Sequence, residues 1–301
     1  MLVLRSYITL MRPNQWVKNL FVLAPLVFAK ELFEVDALLT AVRAFAVFSL
    51  TASSVYILND IADLKADRAH PEKRHRPLAA RTISTSQAYV PLLILLAGVV
   101  VFANGMDTRF VLVLAAYFLL NLAYSFKLKQ VVLLDVFIIA AGFMMRVLGG
   151  AYAIDVEVSK WIILCTLFVS LFLGFAKRRG ELLLTQASGT TSERKVLMHY
   201  RVNFIDQMLT IAAAGAVISY ALYTVAPRTL QAFGTDKMIY TTVFVIYGMF
   251  RYLYLIHTSQ STENVANAVT SDVPIIITAL LWIITCVALI YSGGHVPYFS
   301  E

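Results

Sequence analysis

Three regularly spaced aspartates are the residues of this 301-residue chain that point most directly to chemistry. Asp60, Asp63 and Asp67 stand at i, i+3 and i+7, which places three carboxylates on one face of a helix. Such close like charges repel one another unless a cation lies between them, and carboxylates without His or Cys favour Mg²⁺ over zinc. Because protein-bound Mg²⁺ is usually shared with phosphate oxygens, the array predicts a catalytic magnesium–diphosphate site, with Asn59 as a neutral ligand or donor. The alternative is a solvated acidic turn where a span leaves the membrane.

A basic cluster follows the aspartates directly. Lys73, Arg74 and Arg76 lie just downstream of Asp67. Arginine binds phosphate through two parallel N–H bonds, and lysine binds it as a point charge. Acids followed by bases therefore suit a metal-bridged diphosphate whose remaining charge is neutralised by side chains. Taken alone, such a cluster is also typical of a cytoplasmic loop that contacts anionic lipid head groups.

These motifs carry a family resemblance. The pattern Asn-Asp-x-x-Asp-x-x-x-Asp from Asn59, followed by Arg-x-Arg-Pro-Leu from Arg74, resembles the first signature of the UbiA-type intramembrane prenyltransferase superfamily. Tyr124-x-x-x-Leu-Lys129 is similar to a second piece of that superfamily. The resemblance covers nearly the whole chain and implies an all-α fold, a central cavity open to the cytoplasmic side and to lipid, and a diphosphate held by Mg²⁺. It adds Tyr124 and Lys129 to the candidate substrate-binding residues.

One segment departs from the superfamily pattern. The usual member carries a second Asp-rich motif after the sixth span, where it holds a second Mg²⁺ on a prenyl diphosphate. Here that place has three bases and one acid, namely Lys177, Arg178, Arg179 and Glu181. We expect Lys177 and Arg178 to bind phosphate and Glu181 to contact substrate. The alternatives are a basic cluster that only sets topology and an i,i+4 ion pair between Lys177 and Glu181.

The N-terminal sequence Arg-Pro-x-Gln-Trp-x-Lys-Asn supplies Gln15, Lys18 and Asn19 as further candidate substrate-binding residues. Together with the basic segment it resembles the decaprenyl-phosphate phosphoribosyltransferase branch of the superfamily. That branch transfers phosphoribosyl from phosphoribosyl diphosphate to a polyprenyl phosphate and releases pyrophosphate. Two phosphorylated substrates call for more Lys and Arg and fewer acids than a prenyl diphosphate does, which agrees with the departure.

Two ionisable residues lie within the fifth predicted span. Asp135 and Arg146 stand at i and i+11, on one helical face, and Gly142 lies beside Arg146. An ionisable residue inside a span is a functional candidate. We therefore expect Asp135 to orient a ribose hydroxyl or Lys129, and Arg146 to line a cavity. A structural pairing with a residue of a neighbouring helix is the alternative.

The elements that position these residues follow from the composition. Hydrophobic residues make up 59% of the chain and charged residues 14%, and the mean hydropathy is +0.75. A soluble domain has about 25% charged residues, and one of this size could not hide so much apolar surface. Crossing a bilayer takes about 20 apolar residues in a helix. We therefore predict a polytopic membrane protein, one domain over residues 1–301, with nine spans at roughly 17–31, 37–58, 86–104, 109–126, 131–153, 160–176, 204–226, 238–257 and 273–293.

The orientation follows from the basic residues. Most of the 25 Lys and Arg residues fall in segments that an inside N-terminus would place in the cytoplasm. This predicts a cell-membrane protein with its N-terminus inside and its C-terminus outside. The long polar segments 59–85 and 177–203 then face the cytoplasm, where we expect the active site.

The sequence thus predicts a Mg²⁺-dependent transferase whose partners are phosphoribosyl diphosphate, polyprenyl phosphate and membrane lipids, with no nucleic acid. The resemblance also implies homo-oligomeric assembly and a product that feeds arabinan precursors of the cell envelope. An ordinary prenyltransferase with a prenyl diphosphate donor is the first alternative, and the missing second Asp motif counts against it. A membrane transporter is the second alternative, but it does not predict an acid array beside a basic cluster at one face.

Overall fold

The computed structural model describes residues 2–69, 73–188, 195–258 and 272–292, and every regular element within those ranges is helical. This confirms the all-α prediction. Residues 70–72 and 189–194 of the two long polar segments, and residue 293 of the last predicted span, lie outside the described residues. The α-helices are α1 Leu2–Met11, α2 Ala24–Phe28, α3 Val35–Ala62, α4 Leu64–Ala69, α5 Thr85–Ala103, α6 Thr108–Phe126, α7 Leu134–Ala153, α8 Lys160–Ser188, α9 Val202–Val225, α10 Pro227–Phe233, α11 Thr242–Thr258 and α12 Val273–Ser292.

Eight helices among the described residues are long and apolar enough to cross a membrane. They are α3, α5, α6, α7, α8 over Lys160–Gln186, α9, α11 with the 3₁₀ turn before it (Lys237–Thr258), and α12. The chain is therefore a multi-pass membrane protein, as its composition predicts.

The predicted first span is the one that the structure builds differently. Residues 17–31 contribute to a 3₁₀ helix, Pro13–Leu23, and to the five-residue α2. Neither reaches the about 20 residues that an α-helical span needs. A 3₁₀ helix rises about 2.0 Å per residue against 1.5 Å for an α-helix, so the two together extend about 30 Å, which is close to the thickness of the hydrocarbon core. The described residues therefore do not confirm nine helical spans.

The chain divides into two compact units by its internal contacts. The first comprises Met1–Leu26, Glu31–Ile138 and Gly142–Glu157, and the second comprises Val27–Lys30, Ile139–Ala141 and Val158–Glu301. The single domain over residues 1–301 stays a prediction, as does the central cavity.

The first unit is built around α3, which packs against α1, α5, α6 and the 3₁₀ helix Pro13–Leu23. Phe48 of α3 makes edge-to-face contacts with Phe110 and Tyr117 of α6, with ring centroids 5.8 and 5.5 Å apart. Gly150 of α7 lies against the backbone of the 3₁₀ helix, where a Cβ would collide with the carbonyl of Val22. This close approach requires glycine and fixes the 3₁₀ helix beside α3 and α7.

The second unit is built around the pair α8 and α9. Gly215 of α9 lets the Phe168 ring of α8 approach to a distance that no Cβ would allow. A buried polar group joins α9 to its neighbours, since the Tyr220 hydroxyl lies 2.6 Å from the Thr241 hydroxyl and accepts a hydrogen bond from Trp282. Apolar membrane helices gain no hydrophobic energy by contacting one another, so close backbone approach and such hydrogen bonds hold them together.

Candidate functional site

One face of α3 carries four polar or aromatic residues at helical spacing, namely Ser49, Ser53, Tyr56 and Asp60. The 3₁₀ helix Pro13–Leu23 and the residues just before it lie along this face. The Asn19 amide donates to the Ser49 hydroxyl over 3.0 Å, and the Trp16 indole donates to the Ser53 hydroxyl over 3.0 Å. The Ser53 hydroxyl in turn donates to the carbonyl of Met11. The N-terminal segment is therefore attached along the polar face of α3 that ends at the acidic array.

Arg12 stands where this segment reaches the array. Its backbone is left-handed, with φ 53° and ψ 57°, a conformation that costs a non-glycine residue roughly 1–2 kcal/mol. Its guanidinium lies 5.2 Å from the centre of the Tyr56 ring and donates to Asp60 Oδ1 over 2.5 Å. Strain of this kind persists only when the surroundings hold it. The hydrogen bonds of the N-terminal segment and the Asp60 ion pair provide that hold.

Asp60 and Asp67 converge on a second arginine. Arg76 Nη1 lies 3.2 Å from Asp60 Oδ1 and 2.7 Å from Asp67 Oδ2, and both aspartates are almost fully buried. Arg76 belongs to the basic cluster that follows the array in the sequence. The structure thus brings acid array and basic cluster together, and it places two carboxylates around one cationic nitrogen.

Asp63 pairs with a different base. α3 ends at Ala62, Asp63 has φ −91° and ψ 6°, and α4 begins at Leu64. Lys129, in the 3₁₀ turn after α6, forms an ion pair of 2.5 Å with Asp63. Asp60 and Asp67 therefore share Arg76, whereas Asp63 pairs with Lys129, and the expectation that the three carboxylates act together stays a prediction.

The aspartate oxygens of the array can be compared with the ligands that Mg²⁺ requires. The described ranges contain no group of three or more His, Cys, Asp or Glu residues arranged to hold a metal ion. However, Mg²⁺ is usually bound by only one or two protein carboxylates, with waters and substrate phosphates completing its octahedron. The Asp60 and Asp67 oxygens, which already surround one cationic nitrogen, fit that requirement. Asp63 as a third ligand stays a prediction.

Arg146 forms the second polar centre of the first unit. Its Nε donates to Asn19 Oδ1 over 2.7 Å, Nη1 donates to the Gly142 carbonyl and Nη2 donates to the Tyr117 hydroxyl, both over 2.8 Å. The guanidinium carbon also lies 4.8 Å from the Tyr117 ring centre and 5.3 Å from that of Phe143. Arg146 therefore makes the structural pairing that the sequence left as its alternative, and its contact with substrate stays a prediction.

The other predicted residues of the first unit surround these centres. Asp135 is fully buried in the first turn of α7, where the helix dipole favours a negative side chain. Arg74 is exposed, and its Nε lies 3.4 Å from His75 Nε2. The half-buried candidates, whose substrate contacts stay predictions, are Gln15, Lys18, Asn59, Lys73 and Tyr124.

The basic segment of the second unit has mixed exposure. Lys177 is exposed, whereas Arg178 is fully buried and forms a 2.5 Å ion pair with Glu181. Arg179 Nε donates to Asp206 Oδ1 over 2.7 Å, and this pair links α8 to α9. Glu181 thus has a local basic partner, and phosphate binding by this segment stays a prediction.

Sequence reasoning missed Arg12 and Tyr117 as site residues. Arg12 stands in the N-terminal motif, but a single sequence gives no sign that it meets Asp60. Tyr117 looks like an ordinary aromatic residue of an apolar span. The sequence signal for Tyr117 is weak: it stands one helical turn before a second polar residue, Asn121, in an otherwise apolar span.

Comparison with known proteins agrees with this architecture. A family model described as "UbiA prenyltransferase family" matches residues 20–269. The chain is 38% identical over 216 residues to "Decaprenyl-phosphate phosphoribosyltransferase" of Mycolicibacterium smegmatis, which covers 70% of this chain and 68% of the relative. It is 34% identical over 290 residues to the protein of the same name from Corynebacterium glutamicum, covering 93% of this chain and 85% of the relative. A UbiA homolog from Archaeoglobus fulgidus, solved bound to GPP and Mg²⁺, shares the fold with a TM-score of 0.72 at 18% identity, over 95% of this chain and 98% of that one.

Proposed function

Because the chain belongs to the UbiA prenyltransferase family, we propose that it transfers 5-phosphoribosyl from phosphoribosyl diphosphate to a polyprenyl phosphate. The products are polyprenyl-phosphoryl-5-phosphoribose and pyrophosphate. Relatives named decaprenyl-phosphate phosphoribosyltransferase, at 34% and 38% identity, support this choice of reaction. The proposal also places the active site at the cytoplasmic face, with the N-terminus inside, because most Lys and Arg residues fall on that side.

The observation that carries the proposal is the buried acid pair Asp60 and Asp67 with Arg12 and Arg76 around it, together with the neighbouring ion pair of Asp63 and Lys129. Carboxylates alone would attract a cation, and bases alone would attract any anion. A mixed set instead matches a dication and a diphosphate that bind together. Arg76 can donate two parallel N–H bonds to phosphate oxygens, and Lys129 can add a point charge.

Asp60 and Asp67 would hold Mg²⁺ through their carboxylate oxygens. When bound, the metal supplies positive charge that stabilises the developing pyrophosphate. Arg12 and Arg76 are positioned to stabilise the same negative charge by donating to the leaving oxygens. The bond between ribose C1 and the diphosphate oxygen breaks, and a bond forms between C1 and an oxygen of the lipid phosphate.

The nucleophile needs no strong base. The second pKa of a phosphate monoester is about 6, so near pH 7 its attacking oxygen is already anionic. This agrees with the ion pairs at the site, in which Asp60 pairs with Arg12 and Arg76, and Asp67 pairs with Arg76. Phosphate binding by Lys18, Lys177 and Arg178 is part of the same proposal, since two phosphorylated substrates bring more negative charge than one diphosphate.

The test is a transfer assay on membranes that contain the full chain. Labelled phosphoribosyl diphosphate with polyprenyl phosphate should give a lipid-linked label, which Asp60→Asn should reduce by at least about 100-fold, because it removes the charge that both arginines and the metal require. Asp36→Asn is the matched control, since Asp36 is an exposed residue of the first turn of the same helix. The absence of lipid-linked label, together with product from a prenyl diphosphate and an aromatic acceptor, would overturn the proposal.

A further inference from the structure

The connector between α6 and α7 carries exposed apolar side chains at the ends of the two spans. Val131, Val132, Leu133 and Leu134 are consecutive, and their exposed fractions are 45%, 38%, 36% and 38%. Phe126, the last residue of α6, is 66% exposed at the start of the same segment. Exposed apolar side chains at the end of a span face the acyl chains of the membrane, which is where the hydrocarbon part of a lipid-linked ligand also lies.

The backbone holds this run in an uncommon conformation. Leu133 has φ 65° and ψ −42°, which a non-glycine residue adopts rarely and at a cost of order 1–3 kcal/mol. The Leu133 carbonyl accepts hydrogen bonds from the N–H groups of Val136 and Phe137, both over 3.0 Å, and Asp135 beside them is fully buried. The buried start of α7 therefore fixes the connector and keeps its apolar side chains outward.

The connector also carries two lysines with different surroundings. Lys129 is tied to Asp63 of the acidic array, so the connector lies directly beside the candidate reaction centre. Lys127 is exposed, and within the described ranges its side chain forms no ion pair. One cation that faces solvent thus stands beside an apolar surface and next to the acid array.

This combination matches an anionic head group joined to a hydrocarbon chain. A free phosphate would gain nothing from the apolar run, and a bulk membrane lipid has no reason to bind beside the acid array. We propose that the connector is the docking surface for the polyprenyl phosphate acceptor, with Lys127 against the phosphate and Val131, Val132 and Leu134 against the first isoprene units. This assignment rests on the proposed function, because it takes the acceptor from there.

Kinetics with acceptors of different length test the apolar part. Val131→Ser/Val132→Ser should raise KM for a long-chain polyprenyl phosphate by about tenfold, because two valine side chains lose apolar contact with the chain. KM for phosphoribosyl diphosphate should not change. Lys127→Gln should raise KM for long-chain polyprenyl phosphate and for geranyl phosphate alike, because both carry the phosphate. The control is Leu93→Ser/Ile94→Ser, a consecutive apolar pair of α5 that is more exposed than Val131 and Val132.

An equal rise in KM for phosphoribosyl diphosphate, or the same effect in the control pair, would overturn the assignment. A binding measurement separates it from the proposed reaction. Polyprenyl phosphate with a diazirine in its first isoprene unit should label residues 126–137, with competition by unlabelled polyprenyl phosphate and not by phosphatidylglycerol. Transfer without labelling of this segment, or equal competition by phosphatidylglycerol, refutes the docking surface alone. Labelling here without any transfer refutes the proposed reaction and leaves the docking surface standing.

Discussion

The buried pair of Asn19 and Arg146 allows a sharp test of how the N-terminal segment is held. Asn19 is fully buried, and its side-chain oxygen accepts from Arg146 while its amide donates to Ser49. Asn19→Leu keeps the approximate volume but leaves the Arg146 Nε–H without an acceptor. An uncompensated charged donor in a buried site costs about 2–4 kcal/mol, so Asn19→Leu should destabilise the protein by about 3 kcal/mol.

For the double variant, we expect a loss of stability that is smaller than the sum of the losses in the two single variants. Arg146→Met alone leaves the Asn19 oxygen unpaired, at about 1–3 kcal/mol, but it also removes a guanidinium whose burial is itself costly. In Asn19→Leu/Arg146→Met both polar partners are replaced by apolar groups of similar length. Replacing a buried polar pair in this way is often close to neutral, and the groups that lose a partner here, the Ser49 and Tyr117 hydroxyls and the Gly142 carbonyl, are uncharged. The double variant should therefore be within about 1 kcal/mol of the wild type and more stable than Asn19→Leu.

The assay uses Trp16, which donates to Ser53 from the same segment. The chain has three tryptophans, so Trp161→Phe and Trp282→Phe leave Trp16 as the reporter of unfolding in a detergent titration. The matched control is Asn14→Leu in this background, because Asn14 is an exposed residue of the same 3₁₀ helix. It should change stability by no more than about 0.5 kcal/mol.

Activity should follow the same pattern, since the segment also carries Arg12. Release of Asn19 loosens the hold on the left-handed backbone of Arg12 and hence on its ion pair with Asp60. We expect Asn19→Leu to lower kcat/KM by at least about tenfold, corresponding to about 1.4 kcal/mol of transition-state stabilisation, and the double variant to recover most of it. A double variant that is less stable than Asn19→Leu, or additive losses in activity, would refute the reasoning.

Two further predictions follow from the geometry. Gly150→Ala should destabilise the first unit by about 2–4 kcal/mol in the same detergent titration, because its Cβ collides with the Val22 carbonyl, whereas Gly248→Ala, with no atom near its added Cβ, should be neutral or stabilising. Asp67→Asn should weaken Mn²⁺ binding, measured by electron paramagnetic resonance with pyrophosphate present, by more than about tenfold, and Asp63→Asn should weaken it less, because Asp67 shares its cation with Asp60. Equal effects of the two variants would contradict the two-carboxylate assignment.

Hydropathy made the helical spans predictable, because a membrane span is a local property of about 20 consecutive residues. The segment 17–31 was harder to predict, since Pro13 opens a 3₁₀ helix whose greater rise covers the same distance with fewer residues. Its position depends on Gly150, which no local pattern connects with Val22. Tertiary packing, rather than local propensity, therefore determines the conformation and position of this segment.

The candidate site shows the same limit. The acid array and its neighbouring bases are close in sequence, so a diphosphate site could be proposed from their spacing alone. The pairing of Asp63 with Lys129 could not, because Lys129 lies 66 residues away in the sequence. Nor could the partner of Asn19, which lies 127 residues away in Arg146. Both depend on contacts that form only when distant segments meet.

The charge balance at the acid array explains why the residues of both signs are needed. The three aspartates Asp60, Asp63 and Asp67 face three bases, so the cluster is close to neutral before anything binds. A dication alone would be repelled by Arg76, which already lies between two of the carboxylates, and a diphosphate alone would be repelled by the aspartates. Bound together, each ligand neutralises the groups that oppose the other, so each must raise the affinity for the other by the same factor. A site with carboxylates only would bind the metal without substrate, whereas the proposed site would bind metal and diphosphate as a pair.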